Sequence, residues 1–123
     1  MSSGKCRWLI PDMFWPASSA EGVCVSHEAI CVLNLTDEPC EIDITLYFEQ
    51  DEPLRLPVYT CGAKRTKHIR LDAALDGKGE HIPRGTGYAA EVVCSVPVVV
   101  QYTRVDATQA ANSLMTTMAY PLE

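Results

Sequence analysis

Hydrophobic and polar residues alternate along most of this chain with the period of two that is typical of β-strands. The clearest case is 41–49, where four apolar residues share one face and polar residues share the other: Ile42, Ile44, Leu46 and Phe48 against Asp43, Thr45 and Tyr47. Similar segments, bounded by Gly, Pro, Asp and Asn, lie at 5–10, 23–33, 54–59, 64–71, 88–94 and 98–105. The pattern predicts an all-β, jelly-roll-like β-sandwich of seven or eight antiparallel strands.

The segment 106–123 has a different pattern. Asp106 stands three residues before Gln109, as in a helix capping box. Apolar residues then recur at helical spacing: Ala107, Ala110, Ala111, Leu114 and Met118. This predicts a short C-terminal helix that ends before Pro121, or a mobile tail, after a sandwich that spans about 5–105. Since so short a helix is not stable alone, we expect it to dock on its own sandwich or on a partner.

Length and charge restrict the class of protein. The 123 residues suit a single domain, 1–123. The net charge of −6 would repel nucleic acid and anionic lipid on average, so binding to either would need a local basic patch. The start of the chain lacks the apolar core of a secretory signal, and the longest apolar stretch, 92–100, is too short to span a membrane. We therefore expect a cytoplasmic protein.

Cysteine spacing gives no sign of a metal site. The chain has six cysteines, and no two have C-x-x-C spacing: Cys6, Cys24, Cys31, Cys40, Cys61 and Cys94. We interpret them as reduced, small core residues of a cytoplasmic protein, and we predict neither a metal nor a cofactor.

The tripeptide Ser26-His27-Glu28 contains the residue types of a hydrolytic triad. Successive side chains on a strand point to opposite faces, so His27 cannot easily orient on either neighbour or share a metal with Glu28. The chain also lacks the G-x-S-x-G and H-E-x-x-H motifs. We therefore expect no catalytic site.

Two polar clusters on predicted strands are candidates for binding. In 65–70, alternation places Arg65 on the face of Ile69 and His68 on the opposite face. A charge at the mouth of a core needs a carboxylate, a carbonyl or a polar ligand as its partner. The cluster is therefore either a solvated strand face paired with acids across the sheet or part of a recognition site.

The second cluster, 101–106, follows a very apolar strand. Tyr102 and Arg104 share one face, and Gln101 lies on the other. An aromatic ring beside planar donors is typical of surfaces that bind a polyol or a carboxylate. The alternative is a strand end that satisfies its own backbone.

These clusters, with several other segments, resemble the sensory rhodopsin transducer family. The likeness runs in order from Trp8 to Tyr120 and is carried by Ser26-His27-Glu28, Leu33-Asn34, 65–70, Ile82-Pro83-Arg84-Gly85-Thr86, 96–106 and 113–120. The resemblance implies a lectin-like sandwich of jelly-roll type, assembled as a cyclic homotetramer. It also implies a cytoplasmic partner of a microbial light receptor, among relatives whose inferred ligands are sugars or related polar metabolites. The ligand-binding residues on this basis are His27, Glu28, Arg65, His68, Gln101, Tyr102 and Arg104.

We therefore expect a non-catalytic binding and signal-transduction module that binds a small polar ligand. The alternative is a cytoplasmic partner of a membrane photoreceptor with no small ligand, for which an acidic surface would suit basic receptor loops. Two further hypotheses rank lower. One is an enzyme acting on sugars or esters through His27, His68 or a cysteine, and the other is a DNA-binding regulator that uses a basic patch.

Overall fold

The computed structural model describes residues 3–20, 25–74, 82–109 and 111–123. Nine strands follow one another in chain order: β1 (Lys5–Phe14), β2 (His27–Asn34), β3 (Cys40–Phe48), β4 (Leu54–Arg55), β5 (Tyr59–Cys61), β6 (Arg65–Arg70), β7 (Gly87–Asp106), β8 (Ser113–Met118) and β9 (Tyr120–Leu122). A 3₁₀ turn, Leu71–Ala73, follows β6. Within these ranges, no helix has the length and apolar character needed to cross a membrane.

The long strand β7 belongs to two antiparallel sheets. Its first half pairs with β1 and β3, and these strands with β4, β5 and β9 form sheet A. Its second half pairs with β2 and β8, and these strands with β6 form sheet B. The two strands predicted at 88–94 and 98–105 are therefore one. Pro97 does not interrupt it, because the register with β1 shifts at that point and the missing N–H of Pro97 costs no regular pair.

Side chains from both sheets form one hydrophobic core, as the alternation predicted. On β3, Ile42, Ile44 and Leu46 are buried. Three cysteines also lie in the core: Cys40, Cys61 and Cys94. Cys6 is exposed, Cys31 is half-buried, and Cys24 lies outside the described residues. The all-β, antiparallel sandwich is confirmed.

The prediction of a C-terminal helix or mobile tail is wrong. The segment forms β8, which pairs with β7 from Asp106↔Ser113 to Gln101↔Met118, and β9, which pairs with β1. Asp106 does not cap a helix, because its carboxylate accepts hydrogen bonds from the backbone N–H (3.0 Å) and hydroxyl (2.6 Å) of Thr108. This closes a local Asx turn that sends the chain back along β7.

The first strand is longer than predicted. Pro11 does not end β1, since a register shift between Ile10 and Met13 lets the strand bulge and continue to Phe14. The next residue, Trp15, is therefore held at the end of a sheet strand. The start of the strand predicted at 23–33 lies outside the described residues.

Candidate functional site

The structure divides the seven predicted ligand-binding residues among three places. Alternation along β2 and β7 accounts for most of the division, because neighbouring residues of one strand face opposite sides of sheet B. Three residues lie between the sheets: Glu28, Tyr102 and Arg104. His27, His68 and Gln101 lie on the outer face of sheet B, and Arg65 lies at the start of β6.

The buried residues belong to a hydrogen-bonded group that we call the carboxylate cluster: Glu28, Tyr88, Tyr102 and Arg104. Glu28 is 1% exposed and Tyr102 is fully buried. The Tyr88 hydroxyl donates to Oε1 of Glu28, and the Tyr102 hydroxyl donates to Oε2. Oε2 also accepts the backbone N–H of Phe14 at 3.0 Å, so both carboxylate oxygens have partners.

Burial sets the electrostatics of this cluster. Desolvation raises the pKa of Glu28, while the hydrogen bonds from Tyr102 and Tyr88 act in the opposite direction. Burial also raises the pKa of both tyrosines, which keeps their hydroxyls protonated as donors. Because Tyr88 lies in the sheet A half of β7 and Tyr102 in the sheet B half, the carboxyl group ties the two sheets together.

Arg104 forms the outer limit of the cluster. Its Nε donates to the Tyr102 hydroxyl at 3.1 Å. Its Nη2 is buried without a hydrogen-bond partner among the described residues, and the nearest acid, Asp12, is 3.6 Å away. The guanidinium lies within 6 Å of the Phe14 and Tyr102 rings, at 5.9 and 5.7 Å from their centroids.

The outer-face residues do not reach this cluster. His68 and Gln101 lie in one row of sheet B, on either side of Cys31, which pairs with both. Their strands are therefore about 10 Å apart, twice the interstrand spacing. Gln101 donates to the Thr116 hydroxyl of β8 at 2.7 Å. His27 is half-buried at the start of β2, where its Nδ1 lies 2.8 Å from the carbonyl of Val25.

Arg65 donates hydrogen bonds to backbone carbonyls of the turn that precedes it. Its Nη1 donates to the carbonyls of Ala63 and Lys64 at 3.3 and 3.1 Å. Lys64 has a φ of 54°, a left-handed conformation that brings these carbonyls round to Arg65. Backbone carbonyls are therefore the partners of this charge within the turn.

An open cavity lies elsewhere, beside Trp15, and we call it the Trp15 cavity. Its volume is about 620 Å³, within the range of small-molecule sites. It is bounded by the segment after β1, the start of β2, the 3₁₀ turn and the loop before β7, through Trp15, Ser18, Ser19, Val25, Ser26, Asp72, Ile82 and Arg84. None of these eight was among the seven predicted residues.

Gly85 positions the cation of this cavity. Its φ of 69° is unfavourable for residues with a side chain, and its N–H donates to the carbonyl of Trp15 at 2.7 Å. This contact holds the guanidinium of Arg84 over the indole of Trp15, 4.5 Å from the ring centroid. Arg84 Nε donates to the carbonyl of Pro16 at 3.1 Å. Its two terminal nitrogens have no protein partner in the part of the chain that the structure describes.

Ser26 organises the floor of the cavity. Its hydroxyl donates to the carbonyl of Ser18 and accepts the backbone N–H of Ala107, both at 2.9 Å. Its carbonyl accepts the indole N–H of Trp15 at 3.0 Å. The Ser19 hydroxyl accepts the Ser26 N–H at 2.7 Å, which leaves the hydroxyl proton of Ser19 able to donate to a ligand.

The acid of the cavity is already paired. Nε and Nη2 of Arg70 each donate to one oxygen of Asp72 at 2.8 Å. This bidentate pair holds the pKa of the Asp72 carboxyl below its usual range. Among the residues that the structure places around the cavity, the charge left without a partner is the cation of Arg84. No group of three or more His, Cys, Asp or Glu is arranged to hold a metal ion in the ranges described.

Sequence reasoning missed this cavity because its walls are loops, which have no hydrophobic period. One signal was present, since Arg84 stands between Pro83 and Gly85, a turn composition that fixes the position of a long cation. A second was Trp15, a large aromatic residue in a predicted loop, followed by Pro16.

Comparisons with known proteins agree on one family. The family model described as Anabaena sensory rhodopsin transducer matches residues 3–121. A crystal structure of a Thermotoga maritima protein is 33% identical, covers 99% of this chain and 98% of its own, and superposes with a TM-score of 0.88. A structure of the Anabaena sensory rhodopsin transducer is 35% identical, covers 89% of this chain and 96% of its own, and has a TM-score of 0.74. No curated protein sequence gives a significant match.

Proposed function

Because this chain belongs to the sensory rhodopsin transducer family, we propose that it is a non-catalytic signalling module that binds a small polar ligand in the Trp15 cavity. The observation that carries the proposal is the cavity itself, in which a guanidinium over an indole ring and a serine hydroxyl have donors that no described residue accepts. Sites for small ligands commonly combine apolar walls with a few such polar groups.

The cavity is connected to the carboxylate cluster through the backbone. Trp15 lines the cavity, and the N–H of its neighbour Phe14 donates to Glu28. Ser26 lines the cavity two residues before Glu28 on the other side. A ligand that displaces Trp15 would therefore change the hydrogen bonds that tie the two sheets, and a partner on sheet B would respond to that change.

Ligand contact by the seven predicted residues stays a prediction. His27 is the best placed of them, since it directly follows the cavity residue Ser26. The other six predicted residues would contact a ligand only at a second site or at a site shared with the partner proposed below.

Thermal denaturation in the presence of sugars, polyols and small carboxylates tests the proposal. A ligand at 100 times its Kd stabilises the folded state by about 2.7 kcal/mol. Val25 lines the cavity and is 50% exposed, so Val25→Trp obstructs the site without overpacking the core. Val58 has the same exposure and does not line the cavity, which makes Val58→Trp the matched control.

We expect wild type and Val58→Trp to be stabilised by the same compounds, and Val25→Trp to lose that stabilisation. Absence of stabilisation by every compound, or equal stabilisation of Val25→Trp, would contradict the proposal.

We also propose that the protein works as a cytoplasmic homotetramer, as the family resemblance implies. The outer face of sheet B supports this, because Leu33, Leu114 and Met118 are 42, 75 and 55% exposed there. Apolar side chains grouped on one exposed face are typical of subunit interfaces.

Light scattering after size exclusion should give four times the chain mass for wild type and less for Leu114→Asp. Tyr47→Asp, at an exposed position of sheet A, is the control. A monomeric wild type would overturn the tetramer.

A second candidate function is direct contact with a membrane receptor. It is favoured by the 35% identity to a structure named as the Anabaena sensory rhodopsin transducer and by the net charge of −6, which suits basic cytoplasmic loops. Tagged protein should then retain a receptor from detergent-solubilised membranes of the source cell, and retention should weaken as salt is raised. Recovery of no membrane protein would contradict it.

A further inference from the structure

We infer that the ligand of the Trp15 cavity carries a carboxylate, and that the two terminal nitrogens of Arg84 bind it. The inference rests on the proposed function and adds the chemical class of the ligand. Its support comes from the geometry of Arg84, the charge balance of the cavity and the nature of the remaining walls.

The guanidinium of Arg84 is fixed in position before a ligand arrives. Its guanidinium carbon lies over the Trp15 ring, 4.5 Å from the centroid, and the bond from Nε to the carbonyl of Pro16 holds the side chain there. The remaining fork of two N–H groups matches the two oxygens of a carboxylate. Because the side chain is already held, binding costs less conformational entropy than it would for a free surface arginine.

The charge balance of the cavity favours an anion. Asp72 is the acid in the described part of the lining, and Arg70 neutralises it through two bonds of 2.8 Å. Among the described residues of the lining, Arg84 is therefore the charge without a partner. Charges elsewhere on this acidic chain are screened beyond about 8–10 Å at ordinary salt, so the local cation decides the sign of the ligand.

A carboxylate fits better than a phosphate. Phosphate sites usually combine several cations or the N–H groups of a helix N-terminus. In the described part of the lining, one free guanidinium is present and no helix begins except the 3₁₀ turn that holds Asp72.

The rest of the lining suits a hydroxylated carbon skeleton. Trp15, Val25 and Ile82 supply apolar surface, and the Ser19 hydroxyl has a proton to donate. The volume of about 620 Å³ leaves room for a six-carbon acid. The ligand class is therefore a small hydroxy acid, of which sugar acids are the largest members that fit.

Calorimetric titration with matched pairs tests the inference. The pairs are D-glucuronate with D-glucose, D-galacturonate with D-galactose, and glycerate with glycerol, and D-glucose 6-phosphate is added as the phosphate. The Kd of each compound is measured for four proteins: wild type, Arg84→Gln, Arg84→Lys and Arg55→Gln. Arg55 is an exposed cation of sheet A that pairs with Asp43, so Arg55→Gln removes the same charge away from the cavity.

We expect at least one acid to bind wild type and Arg55→Gln about ten-fold or more tightly than its neutral match. Arg84→Gln should abolish this preference, and Arg84→Lys should keep only part of it because an ammonium has no planar fork. Urea unfolding midpoints close to wild type for the two Arg84 variants will show that they are folded.

The two possible failures are distinct. If the neutral compound binds as tightly as the acid, or if Arg84→Gln keeps the preference, the carboxylate inference is wrong while the proposed function stands. If glucose 6-phosphate binds ten-fold more tightly than every acid, the carboxylate assignment is overturned in favour of phosphate. If no compound binds, the proposed function itself is wrong.

Discussion

The carboxylate cluster and the Trp15 cavity lie next to each other and have opposite character. In the cluster, the Glu28 carboxylate is buried and accepts bonds from two tyrosines and from the backbone of Phe14. In the cavity, two nitrogens of Arg84 have no partner in the described ranges of the chain, and the walls face an open volume. Both oxygens of the Glu28 carboxylate have partners within the protein, whereas the terminal nitrogens of Arg84 have none among the described residues.

The difference shows that residue type is a poor guide to a binding site. An aromatic ring beside an arginine occurs in both places, as Tyr102 with Arg104 and as Trp15 with Arg84. In the first pair, the tyrosine hydroxyl donates to the buried Glu28 and accepts a bond from Arg104. In the second, the pair borders a cavity. Unused hydrogen-bonding capacity beside open space, rather than the chemistry of the side chains, separates a site from a structural group.

The largest expected effect on stability comes from a substitution in the carboxylate cluster. Glu28→Ala leaves two buried hydroxyls and one N–H without their acceptor and opens a cavity between the sheets. We expect a loss of about 3–5 kcal/mol in the free energy of unfolding, as for other broken buried charged groups. Urea denaturation measures it. A loss below about 1 kcal/mol would show that Glu28 is not a structural tie.

Tyr102→Phe should have a smaller effect of the same kind. It removes one donor from Glu28 and the acceptor of Arg104 Nε while keeping the ring in the core. A loss of about 1–3 kcal/mol is expected, since Arg104 Nε loses its acceptor and Oε2 of Glu28 keeps only the N–H of Phe14. Thr103→Val, on the exposed side of the same strand, serves as the control and should change stability much less.

The pH dependence of stability isolates the buried carboxyl. Burial raises the folded-state pKa of Glu28 above its unfolded value of about 4.3. Between those two values the folded state holds a proton that the unfolded state has lost, so stability falls as pH rises through the window. The fall is about 1.4 kcal/mol for each pH unit of the shift. Below the unfolded value, this contribution is fully present.

Glu28→Gln should remove that dependence, because the amide does not titrate. The difference in unfolding free energy between wild type and Glu28→Gln should therefore change steadily to the disadvantage of wild type from pH 4.3 upward and then become constant. A difference that is constant from pH 4 to pH 7 would contradict a raised pKa for Glu28.

The smallest effect on stability is expected at the Trp15 cavity. Arg70→Gln removes the partner of Asp72, and since Arg70 is largely exposed the cost in stability should stay below about 1 kcal/mol. The freed Asp72 would then repel an acid ligand, so acid binding should weaken several-fold while neutral compounds are unaffected. Unchanged acid binding in Arg70→Gln would show that Asp72 does not face the ligand.

The strands of the sheets could be predicted from the sequence because the alternation of apolar and polar residues is a local pattern. Ile42, Ile44 and Leu46 alternate with polar residues, and this period determines both the strand and its buried face. The C-terminal helix was wrong because Leu114 and Met118 lie four residues apart, which suits a helix, whereas the free edge of β7 supplied hydrogen bonds that outweighed this weak preference.

The candidate site was less predictable for a related reason. The buried position of Glu28 depends on Tyr88 and Tyr102, which come from two halves of one strand in different sheets. The Trp15 cavity depends on Gly85 meeting Trp15, a contact between residues 70 positions apart. Such contacts have no period along the chain, so only the three-dimensional structure brings them together.

The two tryptophans of the chain provide the most direct test of ligand binding at the cavity. The indole N–H of Trp15 faces the cavity floor and donates to Ser26, whereas that of Trp8 donates to the carbonyl of Lys5 at 3.0 Å. In a ¹⁵N-labelled sample, each gives one indole signal, and both are followed during titration with the tightest-binding member of the panel above. The account predicts a saturable shift of the Trp15 signal with the Trp8 signal unmoved; a Trp15 signal that stays fixed at saturating ligand would contradict it.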